Sequence, residues 1–306
     1  MGGSGGGGSY MSANDIAILR AQAKERLDQS RIDSEVNSFL QQKLVNINAR
    51  DVEGINGHLE QMENMLADQV EPFDRLLFGG SVEKHTYVDG LSDVDSLVVL
   101  KDERLLDKSP EEVRTEFAEM IRRKLPQGEI ADIRVGRLAI TIVYTDGAEI
   151  QLLPAVERGN DTFISSYEGN GWSRIRPREF AHTLTESNRN QGGAVVPTIK
   201  LAKAILANKL GEQSLSGYHV ESLAVEAFSN YEGSRSPKAM LTHFFEYSSE
   251  RVLRPISDAS GQSIHVDDSM GEPGSEARQR ASRFLRSTAQ TMSQTQSMGD
   301  WQNLLQ

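Results

Sequence analysis

The chain has 306 residues, a formal net charge of -11 and no cysteine. That length builds one large domain or two lobes with a real core, and the missing thiols exclude disulfides, thiolate zinc sites and cysteine nucleophiles. The acidic balance disfavours broad, sequence-independent binding of long nucleic acid, which needs clustered Lys and Arg, but not binding of triphosphates carried by a metal. No apolar run approaches the roughly 18 to 20 residues that span a bilayer, and no secretory signal is evident, so a cytoplasmic location is expected.

Residues 1–11, MGGSGGGGSYM, read as an added flexible linker outside the fold, with the native start at Met11. From Asn14 to about Asn48, Ile16, Ile18, Leu19, Leu27, Ile32, Val36, Phe39 and Leu40 recur at helical spacing and predict one long helix. A second helix is expected over Val52 to Val70, ended by Glu71-Pro72. Short strands should precede Gly79 and follow Asp95. Ser109-Pro110-Glu111-Glu112 is a strong helix start, with Ser109 as cap, Pro110 in the first turn and Glu112 closing a capping box. That helix should run to about Lys124, before Pro126. Ala131 to Val135, Leu138 to Tyr144 and Ala148 to Leu153 alternate as strands, with Asp146-Gly147 as a hairpin turn.

After Pro154 the pattern turns helical, over Arg176 to Asn188, Val195 to Leu210, Tyr218 to Tyr231 and Pro237 to Val252. Ile256 to Glu276 is polar and broken by Gly and Pro, which predicts a surface loop. In it Asp267 and Asp268 are expected to be solvated. A last amphipathic helix should cover Ala277 to about Gln294. Trp301 and Leu304-Leu305 dock either on the domain or on a partner. The expected plan is an α/β lobe over residues 50–160, embraced by helices from both ends of the chain. As domains this gives 12–160, the lobe with its N-terminal helix, and 161–306, a helical C-terminal lobe.

The most informative stretch is Phe78 to Leu100, FGGSVEKHTYVDGLSDVDSLVVL. Asp93 and Asp95 fall at alternate positions entering an apolar run. Side chains in a strand alternate with period two, so both carboxylates share one face and suit a hard cation such as Mg²⁺. Asp is depleted in strand interiors, so two at alternate positions need a reason. Gly79-Gly80-Ser81 lets backbone amides approach a phosphate, and Ser81 adds a hydroxyl. A phosphate cradle beside a metal clamp is the equipment of nucleotidyl transfer.

These residues resemble the DNA polymerase β-like nucleotidyltransferase superfamily, whose signature is a helix, hG[GS], a strand carrying DxD, and a third acidic residue on a later strand. More narrowly, the chain resembles the bacterial cGAS/DncV-like nucleotidyltransferases (CD-NTases) of anti-phage (CBASS) defence. Glu149-Ile150-Gln151-Leu152-Leu153-Pro154-Ala155, Pro197 to Lys203 and Leu215 to Ser222 carry the narrower likeness, which spans roughly residues 15–295. The resemblance implies an α+β fold: a polymerase β-like lobe with a mixed sheet, a helical lobe, and a long N-terminal spine helix. It implies an enzyme that joins nucleoside triphosphates into a cyclic di- or oligonucleotide second messenger for a downstream effector, with a regulatory protein as a further partner. Two Mg²⁺ (or Mn²⁺) ions would sit on Asp93, Asp95 and the position of Gln151. Gly80 and Ser81 would hold phosphates, and Lys200 and Lys203, three apart on one helix, would face the triphosphate. Tyr218 would stack on a base, and Ser216 is either a phosphate ligand or the cap of the helix that follows.

One position departs from the pattern. The third acidic residue is replaced by Gln151, which offers a metal one neutral carbonyl oxygen and no charge. Glu149, two residues earlier on the same face, is a candidate substitute, and Asp132 is another carboxylate, which nothing in the sequence points inward. Three readings stay open: the site works with Gln151, the residue is an inactivating substitution, or the chain binds nucleotide without turnover. A transferase acting on another acceptor is a further alternative. His85 and His219 read as structural or solvated.

Overall fold

The computed structural model describes residues 13–48, 52–69, 73–78, 94–125, 128–136, 138–159, 161–166, 171–175, 177–210, 215–257, 266–267, 270–294 and 297–305. Two helices lead, α1 (Ala13–Asn48) and α2 (Val52–Gln69), followed by strands β1 (Phe73–Phe78) and β2 (Val94–Leu100). A 3₁₀ turn at Glu103–Asp107 precedes α3 (Pro110–Lys124). Then come β3 (Ile130–Val135), β4 (Ile140–Tyr144), β5 (Glu149–Arg158), β6 (Asp161–Ser165) and β7 (Trp172–Ile175). Among the described residues six helices follow: α4 (Pro177–Asn190), α5 (Val195–Leu210), α6 (Gly217–Phe228), α7 (Pro237–Arg251), α8 (Glu276–Gln294) and α9 (Met298–Leu304).

The seven strands among the described residues form one mixed sheet. Its main path runs β1-β2-β5-β4-β3, with β6 extending from β5 and β7 from β6. Among the described residues only β2 and β5 run parallel. This is the α+β class the sequence predicts, with the mixed sheet ahead of the helical part.

Beyond Pro154 the sequence reading needs correction. β5 continues to Arg158, and β6 and β7 follow, where no strand was expected. A proline inside a strand ordinarily argues for an edge, because it cannot donate to the ladder. Here β4 pairs with residues up to Leu152 and β6 pairs from Ala155 onward, on the side away from β2. On that side Pro154 therefore falls in the gap between two partners, while on the other it registers with Val98 of β2.

The apolar side chains gather in two main clusters. One joins α2, α3 and one sheet face through Leu59, Met62, Leu66, Val98, Ile121, Ile140 and Leu152. The other is helical and includes Val36 and Leu40 of α1 with α4 to α9. Trp301 of α9 is fully buried in it, so the C-terminal segment docks on its own domain. The first half of α1 behaves differently: Ile16, Ile18, Leu19 and Leu27 are exposed, although their spacing is helical.

Candidate functional site

The polar face of the sheet is set by register. Ile150 and Leu152 are buried toward α2 and α3, so Glu149 and Gln151 take the opposite face. β2 runs alongside with Asp95 paired to Gln151, and β4 places Thr141 against Gln151 from the other side. Thr141 in turn registers with Arg134 of β3. Registered positions on neighbouring strands share a face, so positions 95, 151, 141 and 134 form one row across four strands. Farther along β2 and β5, Leu97 joins Ala155, Ile164 and Ile175 in a small apolar cluster that underlies β6 and β7.

Glu149 is engaged: Arg134 Nη2 donates to its Oε1 at 2.6 Å, and Asp132 approaches the same guanidinium at 3.7 Å. The two carboxylates considered as substitutes for the third acidic residue thus share one arginine at the edge of this face. Gly80, Ser81 and Asp93 lie outside the described residues, as does His85, and only the backbone of Asp95 is described. Among the described residues no three His, Asp or Glu side chains converge on a metal position. The donor chemistry suits a Mg²⁺ ion at the level of backbone register, since an aspartate and a glutamine carrying hard oxygens are neighbours on parallel strands. Such a site is short of one negative charge.

A second group forms where α5 meets the start of α6. Lys203 is buried, and its Nζ donates to Glu221 Oε1 at 2.8 Å. Lys200, one turn earlier and half-buried, has its pKa lowered by burial and by the neighbouring Lys203 charge. Ser216 caps α6, its hydroxyl accepting from the His219 N–H at 3.2 Å. Tyr218 is held edge-on against Phe180, with ring centroids 4.6 Å apart. The structure therefore brings Lys200, Lys203, Ser216 and Tyr218 together, and separately brings Asp95 beside Gln151. Sequence reasoning missed Glu221 as the partner of Lys203. Its one available signal was a lone carboxylate in the apolar run Val220 to Val225, a pattern that predicts a buried counter-ion.

Behind Tyr218 lies a buried polar network. Asp267 is not solvated but 1% exposed. The guanidinium of fully buried Arg278 donates to its Oδ2 at 2.5 Å, and the Ile256 N–H donates to its Oδ1 at 3.1 Å. Asp267 is thus anchored, its carboxylate held by an arginine of α8 and by the Ile256 amide. His219 packs alongside, its Nε2 3.6 Å from Asp267. Burial pushes the imidazole down to about 4 against the attraction of Asp267, with the Arg278 and Arg251 charges adding to the fall. The unfolded chain takes this proton near 6.5 and the folded chain only near 4. Stability from this group is fully present above pH 6.5 and should be lost as pH falls toward 4, by up to about 1.4 kcal/mol per pH unit. Urea midpoints at pH 7, 6 and 5 test this, and His219→Gln should flatten the slope.

No protein-family model matches the sequence, and no curated protein matches it. Solved structures do. CdnC of E. coli MS115-1, in a structure with ATP, superposes with a TM-score of 0.69 at 14% identity, over 89% of this chain and 96% of that one. The fold is that of the bacterial CD-NTases. CdnG of Bradyrhizobium diazoefficiens, in complex with GTP, gives a TM-score of 0.65 at 13% identity over 88% of this chain and 94% of its own. The cyclic AMP-GMP synthase DncV of Vibrio cholerae, in complex with a linear intermediate, gives 0.59 at 10% identity over 96% and 90%. At these identities the likeness is one of fold, and the CD-NTase fold accounts for both the mixed sheet and the helical part with its long first helix.

Proposed function

We propose that this chain is a metal-dependent nucleotidyltransferase that joins nucleoside triphosphates into a cyclic di- or oligonucleotide. The observation that carries the reading is the register of β2 on β5, which sets Asp95 beside Gln151 in a chain with the CD-NTase fold over most of its length. Its catalytic part would be residues 12–160 and its helical part 161–306. The product would be a second messenger for a downstream effector in bacterial anti-phage defence, made in the cytoplasm, with a regulatory protein as a further partner. Among the described residues no helix is long and apolar enough to cross a membrane.

In this reading Asp93 and Asp95, with the carbonyl oxygen of Gln151, hold Mg²⁺. When bound, two such ions lower the pKa of an attacking ribose hydroxyl and offset charge on the leaving pyrophosphate. The hydroxyl oxygen forms its bond to the α-phosphorus of the second nucleotide as the bond to pyrophosphate breaks; repetition closes the ring. Gly80 and Ser81 hold the β- and γ-phosphates, Lys203 with Lys200 offsets their charge, and Tyr218 stacks on a base. Catalysis then rests on positioning and fixed charge rather than on covalent chemistry from the protein.

A second reading, nucleotide binding without turnover, is favoured by one observation: Gln151 brings no charge, and the candidate substitute Glu149 is held by Arg134. Pyrophosphate release from the four NTPs with Mg²⁺, then Mn²⁺, separates the two. Steady release supports the enzyme. Tight retention of triphosphate without release, relieved by Gln151→Asp, supports the second reading, because the substitution restores the missing charge.

A further inference from the structure

We propose that Gly217 is the opening through which the Lys203 ammonium meets a triphosphate, and that Glu221 is the residue that positions that ammonium. This rests on the reading of Lys203 as a triphosphate contact, and adds two residues to it. The Lys203 side chain is only 5% exposed and that of Glu221 1%, with 2.8 Å between Nζ and Oε1. Glu221 lies one helical turn after Gly217 on α6, so it holds Nζ directly behind the first residue of that helix.

Gly217 is exposed, and a Cβ built on it would sit 3.3 Å from Lys203 Nζ and 3.5 Å from Cε, with no other atom of the described residues inside 4 Å apart from its chain neighbours and its own helix backbone. The ammonium therefore lies against the bare Cα of a surface glycine. Nothing in the backbone requires that glycine. Its φ is outside the left-handed region, and it opens a helix of 12 residues, where alanine is the better helix former. What glycine provides is space. A methyl group there would stand between solvent and an ammonium that Glu221 prevents from moving aside.

The test uses Mg²⁺ tripolyphosphate, which carries no base, titrated into the full chain by calorimetry. Lys203→Met should weaken binding on the order of tenfold to a hundredfold, as for a lost charge-assisted contact. Gly217→Ala should weaken it about tenfold or more, with a melting temperature equal to or above that of the parent. Glu221→Gln should weaken binding, and Glu221→Asp, which keeps the charge, should retain more of it. A purely structural pair would lower melting and leave affinity per folded molecule unchanged.

Parental affinity in Gly217→Ala, or a melting temperature that drops, overturns the opening. Parental affinity in Glu221→Gln beside a loss in Lys203→Met overturns the positioning role. Parental affinity in Lys203→Met, or a parent that does not bind the probe, removes the contact itself and the proposal with it. Pyrophosphate release by the parent judges the enzyme reading independently of these results.

Discussion

Arg278→Met is expected to destabilise the fold by about 3 to 5 kcal/mol, the usual cost of removing one partner of a buried ion pair. Arg278 is fully buried. Its Nε donates to the Gly271 carbonyl at 2.8 Å, and one Nη donates to the Val252 carbonyl at 3.0 Å as well as to Asp267. One guanidinium thus ties the start of α8 to the residue that follows α7 and to the segment after Ile256. Methionine keeps most of the volume and none of the donors, so the Asp267 carboxylate and the Val252 and Asp267 carbonyls lose the Arg278 donor in a buried site, and the Gly271 carbonyl loses it nearer the surface. Against a typical total stability of about 5 to 15 kcal/mol, that loss is a large fraction. It should appear as a lower urea midpoint at unchanged m-value. Adding Asp267→Leu should recover part of the loss, since the uncompensated charge goes too. A cost below about 1 kcal/mol would mean that solvent reaches Asp267.

The second large effect concerns activity. Asp93→Ala with Asp95→Ala should lower nucleotidyl transfer by at least about a thousandfold, since the groups that hold the metal charge act together on the transition state. The fold should survive. Asp is unfavourable within strands, and position 95 enters a strand whose buried part, Ser96 to Leu100, is unaffected. The double variant should therefore melt no lower than the parent. Loss of activity together with loss of fold would instead assign the aspartates a structural role.

What the sequence could reveal depended on whether the cause was local. The α3 helix was legible to the residue, because Ser109 and Glu112 satisfy each other's backbone amides within one turn. The β4–β5 hairpin was legible for the same reason: Asp146-Gly147 has a turn composition, and Gly147 takes φ 90°. In α1 the spacing predicted a helix correctly. It could not say that Val36 and Leu40 find a core while Leu27 stays 71% exposed, since that depends on where the other helices end. β6 and β7 were illegible because they are short and their register comes from β5, across a proline that ordinarily ends a strand. Asp267 read as a solvated loop carboxylate, and Glu221 had no partner assigned to it. Their partners lie 11 and 18 residues away and are brought near only by the packing of α5, α6 and α8. At the candidate active site the alternation of Asp93 and Asp95 is a local pattern, with Asp93 outside the described residues, while the place of Gln151 beside Asp95 needed the parallel register of two strands.

The most direct measurement is mass spectrometry of the phosphatase-resistant products formed from all four NTPs with Mg²⁺ or Mn²⁺. The account predicts a cyclic di- or oligonucleotide from the parent chain and none from the Asp93→Ala/Asp95→Ala variant. Only linear or macromolecule-linked products would contradict ring closure, and no product from the parent or from Gln151→Asp would contradict the enzyme itself.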